Sequence, residues 1–132
     1  ELQSTFGPKV SDKIGEILSI LTDSEHDNVR ISKELDISLD ESDGFHNASS
    51  YSGGTIDQIY LAFRLAIAQL ISIDALPIYL DEPFVQYDDN RISRAIDYLC
   101  EYSKVNNSQI ILTSCHNRTI GLQSKKVHMI VI

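Results

Sequence analysis

Two short stretches of the 132-residue chain hold residue types that act on phosphate and water. Ser52-Gly53-Gly54-Thr55 runs straight into an apolar-striped helix, offering free backbone N–H groups and the positive end of a helix dipole to an anion. Further on, the hydrophobic Leu76-Pro77-Ile78-Tyr79-Leu80 ends at Asp81-Glu82-Pro83. A strand ending there delivers two carboxylates to its carboxyl end, where ligands of parallel α/β sheets bind. Two such acids must reach solvent, a metal or a partner, because burying them unpaired is costly. Asp88 follows in the next loop, and His116 lies just past a second strand, Gln109–Thr113. Each signal alone is weak. Ser-Gly-Gly-Thr also builds plain loop-to-helix junctions, and a lone histidine after a strand is commonly structural.

The elements that position these residues follow from periodicity. Val10, Ile14, Ile17, Leu18 and Leu21 predict a helix over 8–22, with Pro8 in its first turn and one face packed. The period then changes to two, with Val29 and Ile31, then Leu35, Ile37 and Leu39, predicting a half-buried strand pair. Glu41 to Ser50 is polar, with Asp43-Gly44 as a turn; Asp40, Glu41 and Asp43 read as a solvated acidic loop rather than a cation site. A helix over about 56–73 buries Ile59, Phe63, Ala66, Ile67 and Leu70, with Thr55 and Gln58 at capping-box spacing. Ile78–Leu80 and Ile110–Leu112 predict short strands buried on both faces. Between them a helix over 89–103, capped by Asp88, presents Ile92, Ala95, Ile96, Leu99 and Cys100. Lys126–Ile132 predicts a last strand.

Composition sets the class. The chain is 42% hydrophobic and 23% charged, with no apolar run long enough to cross a bilayer and no signal-type opening. Cys100 and Cys115 lack metal-ligand spacing, so a reducing, cytoplasmic setting is expected. The net charge of −8 is uneven: residues 1–50 hold eleven acids and four bases, residues 51–132 eight and seven. Nothing in this pattern forms the basic stripe of a nucleic-acid surface. Length allows one domain, 1–132, and Glu1 in place of Met points to a fragment.

Taken together, Ser52-Gly53-Gly54, a helix, Asp81-Glu82-Pro83, Asp88 and His116 come in the order and approximate spacing of ABC-type ATPases. The string from Ser52 to Arg64 and the string from Leu76 to Phe84 resemble the SMC-like branch with long coiled coils, of the SbcC, RecN and YhaN type, which serves genome maintenance. The resemblance implies the C-terminal lobe of a P-loop NTPase head: an α/β fold with a mostly parallel sheet flanked by helices, here preceded by a helix and a strand pair. It also implies roles. Asp81 would hold Mg²⁺ through water, and Glu82 would polarise the attacking water. His116 would touch the γ-phosphate, and Asp88 would sit at the dimer contact. Ser52, Gly53 and Gly54 would bind the γ-phosphate of ATP held by the opposite subunit. ATP and Mg²⁺ are the implied ligands. The implied partners are the N-terminal lobe of the same head and a second head in a homodimer, with DNA and a nuclease reached through the full protein.

Two departures stand beside the matches: Tyr51 where Leu is usual, and Thr55 where Gln is frequent. A larger gap is that no Gly-x-x-x-x-Gly-Lys-Ser/Thr loop occurs in the chain. In SMC-like relatives that loop belongs to an N-terminal lobe beyond the coiled coil, so the isolated chain is expected to be inactive. The competing reading is an assembly module with vestigial ATPase motifs. A nuclease site built from Asp81, Glu82, Asp88 and Asp89 is disfavoured, because one pair ends a strand and the other opens a helix.

Overall fold

The computed structural model describes residues 2–32, 36–71, 76–116 and 127–128. They fall into two compact units, Glu1–Ile71 and Ser72–Ile132.

The first unit is built on α1 (Leu2–Leu21), three strands and α2 (Gly53–Ile71). Val10, Ile14, Ile17, Leu18 and Leu21 are all buried, as their spacing requires. The helix begins at Leu2, however, so Pro8 lies inside it rather than at its start. Leu2 and Phe6 continue the four-residue spacing of Val10 and Ile14 upstream, so the apolar repeat runs through Pro8 and the start placed at the proline is corrected. Gly15 allows a close approach: a Cβ there would meet the carbonyl oxygen of Asp27.

Strands β1 (Val29–Ile31), β2 (Ile37–Glu41) and β3 (Gly44–Asn47) form an antiparallel sheet in that order. Val29 lies opposite Leu39 and Ile31 opposite Ile37, so the apolar residues of the expected pair share one face. Leu35 lies outside the described residues. The third strand was not legible, because Gly-Phe-His-Asn has no apolar alternation and is paired by the hairpin instead. Glu41 pairs with Gly44, whose φ of +127° only glycine adopts without strain. On the sheet surface the Arg30 guanidinium lies 3.9 Å from the Phe45 ring centroid.

Helix α2 packs on α1. Its buried face is Thr55, Gln58, Ile59, Leu61, Ala62, Leu65 and Ala66, rotated from the expected stripe. Phe63 and Ile67 are half-buried and Leu70 is exposed. That face includes Gln58, a polar residue turned into the core, where its amide donates to the Leu21 carbonyl at 2.7 Å.

In the second unit β4 (Ile78–Asp81) and β5 (Ile110–Thr113) pair in parallel, with α3 (Asp89–Val105) between them in sequence. Ile92, Ala95, Leu99 and Tyr102 form the buried face of α3, while Ile96 and Cys100 are half-buried. The strands are not buried on both faces. Tyr79 and Ile111 are register partners and are 54% and 42% exposed, whereas Leu80 is fully buried. The predicted last strand falls, apart from Val127 and His128, outside the described residues.

Candidate functional site

Parallel pairing of β4 with β5 brings two chain segments to one end of the second unit. Asp81 lies opposite Thr113, and the Thr113 hydroxyl donates to Asp81 Oδ1 at 2.6 Å. Tyr79 extends the chain, its hydroxyl 3.2 Å from Thr113 Oγ1. One residue further, the Glu82 N–H donates to the Thr113 carbonyl at 2.9 Å, adding one more rung to the ladder.

At Glu82 the backbone turns sharply, with φ +45°, a left-handed conformation that costs a non-glycine residue energy. That turn aims the carboxylate across the strand ends. Ser114 Oγ donates to Glu82 Oε2 at 3.0 Å, and the Cys115 N–H donates to Glu82 Oε1. The His116 N–H in turn donates to Ser114 Oγ at 3.2 Å. One ligating atom from each of Glu82, Cys115 and His116 lies within 4.8 Å of the others. The Cys115 thiol and N–H hold the Glu82 carboxyl below its ordinary range, opposed by desolvation and assisted to a lesser degree by Ser114 and His116. The same carboxylate pushes the Cys115 thiol upward.

The Ser-Gly-Gly turn lies in the first unit. Ser52 caps α2: its Oγ accepts from the Thr55 N–H at 3.3 Å and lies 3.0 Å from Thr55 Oγ1. The capping-box expectation for Thr55 and Gln58 is therefore corrected by one turn. Both glycines lie inside the first turn of the helix, not before it, and their N–H groups are among the four that an α-helix leaves without partners in its own ladder. Tyr51 is anchored from behind, its hydroxyl donating to Glu41 Oε1 at 2.9 Å and its ring meeting His26 edge-on at 5.4 Å between centroids. Partial burial, then Glu41, push its pKa up to about 12. His26 Nδ1 lies 3.3 Å from Glu41 Oε1 but out of alignment for a hydrogen bond.

No family model matches the chain. The uncharacterized protein YhaN of Bacillus subtilis is 32% identical over 112 residues, covering 83% of this chain and 12% of that protein. The DNA double-strand break repair Rad50 ATPase of Thermoplasma acidophilum is 26% identical over 113 residues, covering 80% of this chain and again 12% of the relative. A solved structure from work on ATP-driven dimerization and DNA-stimulated activation of SMC ATPases matches 90% of this chain and 73% of its own, with a TM-score of 0.70 at 22% identity. The chain belongs with the C-terminal region of SMC-like ABC ATPase heads. It spans about one eighth of the length of the two relatives.

In this SMC-like region the expected site residues divide between the two units. Glu82 and His116 are brought together, with Asp81 beside them on β4, while Ser52, Gly53 and Gly54 belong to the other unit. Asp88 caps α3 as expected, Oδ1 accepting from the Arg91 N–H at 2.8 Å, with Arg91 Nε 3.6 Å from Oδ2. Cys115 is the residue that sequence reasoning missed. It was set aside for lack of metal-ligand spacing, but its partner Glu82 is brought near only by the parallel pairing. The acids of the β2–β3 hairpin each meet a protein partner: Asn28 at Asp40, Tyr51 at Glu41 and His46 at Asp43. Among the described residues no helix is long and apolar enough to cross a membrane.

Proposed function

We propose that this chain is the C-terminal half of an SMC-like head that binds and hydrolyses ATP at a head–head interface, in DNA repair or chromosome maintenance. The observation that carries the reading is the meeting of Glu82 and His116 at the ends of β4 and β5. An ionised carboxylate there can polarise a water, and an imidazole or imidazolium can donate to a phosphoryl oxygen. Asp81 fits a hydrated Mg²⁺, since one carboxylate oxygen is oriented by Thr113 and the residue is exposed. Bound Mg²⁺ supplies charge neutralisation for the phosphates.

On this reading Ser52, Gly53 and Gly54 meet the γ-phosphate of ATP on the opposite head, the capped helix start supplying N–H groups and a positive dipole end. Asp88 lies at the dimer contact. The outward face of Tyr79 and Ile111 is left for the N-terminal lobe, which carries the missing phosphate loop. DNA and a nuclease partner are reached through the full protein. The Rad50 relative's name, with DNA double-strand break repair in it, supports that assignment by similarity.

The test is ATP turnover by the chain alone, by the chain joined to its N-terminal lobe, and by the joined head carrying Glu82→Gln. Turnover is expected only in the second, with a loss of about 100-fold or more in the variant. Robust hydrolysis by the chain alone, or normal hydrolysis by the variant, overturns the proposal. Absence of nucleotide-dependent dimerisation favours the assembly-module reading.

A further inference from the structure

The cluster at the strand ends contains more than the proposed hydrolytic reaction uses. Cys115 and His116 are exposed and Glu82 is half-buried, so solvent reaches the cluster. Their ligating atoms, a thiol sulfur, an imidazole nitrogen and a carboxylate oxygen, lie within 4.8 Å of one another. Tetrahedral zinc, with bonds of about 2.0 to 2.3 Å, holds its ligand atoms roughly 3.3 to 3.8 Å apart. The 4.8 Å limit on the separations in the cluster exceeds that spacing by about 1 Å. The Glu82 carboxylate is already oriented by Ser114 Oγ and the Cys115 N–H, the kind of outer support that metal ligands need.

We propose that Glu82, Cys115 and His116 form a binding site for a thiophilic divalent cation, Zn²⁺ above others. The donor set decides the ion. Sulfur, nitrogen and oxygen together suit Zn²⁺, whereas Mg²⁺ takes oxygen donors, which Asp81 offers next to the cluster. Three protein ligands leave the fourth zinc position to water. The consequence rests on the reading of Glu82 given above: a carboxylate bound to zinc cannot orient the attacking water, so zinc inhibits the head while Mg²⁺ supports it.

The site is tested first without nucleotide. The metal-free chain is titrated with Co²⁺ as a spectroscopic probe and then with Zn²⁺. The expected result is one equivalent of Co²⁺ with a sulfur-to-cobalt charge-transfer band, displaced by Zn²⁺. Cys115→Ser should abolish the band and weaken Zn²⁺ binding at least tenfold, and His116→Ala should weaken it similarly. Cys100→Ser should change neither. No saturable binding, unchanged binding in Cys115→Ser, or a band lost in Cys100→Ser overturns the site. Circular dichroism of each variant checks that the fold is retained, and the exposed positions of Cys115 and His116 make that the expected outcome. Because this titration involves no ATP, an inactive head leaves the zinc site standing, and failure of zinc to bind leaves the ATPase proposal standing.

Discussion

The side-chain amide of Gln58, on α2, donates at 2.7 Å to the main-chain carbonyl of Leu21, the last residue of α1. Gln58 is only 1% exposed, so a polar group has been taken into the core to join the end of one helix to the first turns of another. Since Ser52 caps α2 just upstream, the bond also locates the Ser-Gly-Gly turn in its unit. Gln58→Ala loses a buried hydrogen bond and leaves a void, and should destabilise the chain by about 2 kcal/mol. A urea midpoint lowered at unchanged slope is the expected measurement.

Gly15 tests packing where α1 passes the 27–29 segment. A methyl group there would overlap the Asp27 carbonyl oxygen, a backbone atom that cannot rotate aside. Gly15→Ala should therefore cost about 1 to 3 kcal/mol despite the better helix propensity of alanine. An increase in thermal midpoint would refute this account of the contact.

Tyr51 makes a pH prediction. Its phenol is raised from 10.0 to about 12 by partial burial, then by Glu41. Above pH 10 the unfolded chain loses this proton first. The stability linked to it is complete below about pH 10 and is lost as the pH rises through 12. In a spectrophotometric titration, Tyr51→Phe should lack the absorbance step near pH 12 and keep the earlier ones.

Glu82 behaves in the opposite sense. Its carboxyl is lowered from 4.5, chiefly by the Cys115 thiol, so the linked stability is present above pH 4.5 and lost as the pH falls through the folded value. Carbon-detected titration of the Glu82 carboxyl should give a midpoint below 4.5, and Cys115→Ala should move it upward. A midpoint unmoved by that substitution would show that the thiol has no hold on the carboxylate.

Thr113 tests the orientation of Asp81. Thr113→Val removes the hydroxyl that donates to Asp81 Oδ1, and Thr113→Ser keeps one. In the joined head, Mg²⁺-dependent ATP turnover should fall about tenfold in the valine variant and recover in the serine variant. Equal loss in both would point to packing of the threonine methyl group instead.

Much of this protein was legible in residue order. The apolar repeats of α1 and α3 and the alternation in β1 and β2 place the elements, because burial selects apolar residues at the period of the backbone. Asp88 announced its cap by position alone. The order Ser52-Gly53-Gly54, Asp81-Glu82, Asp88, His116 pointed to the family, and the comparisons agree with it. Periodicity was a poorer guide where a polar group pairs inside the core, as on α2, whose buried face includes Gln58. It was silent where a turn does the pairing, as at β3. The resemblance implied that Glu82 and His116 act at one site, but the tertiary structure alone decided that Glu82 meets Ser114 and Cys115 there. Parallel strand pairing, which joins residues far apart in sequence, and a left-handed turn at one glutamate produce that meeting, and neither leaves a local pattern in the chain.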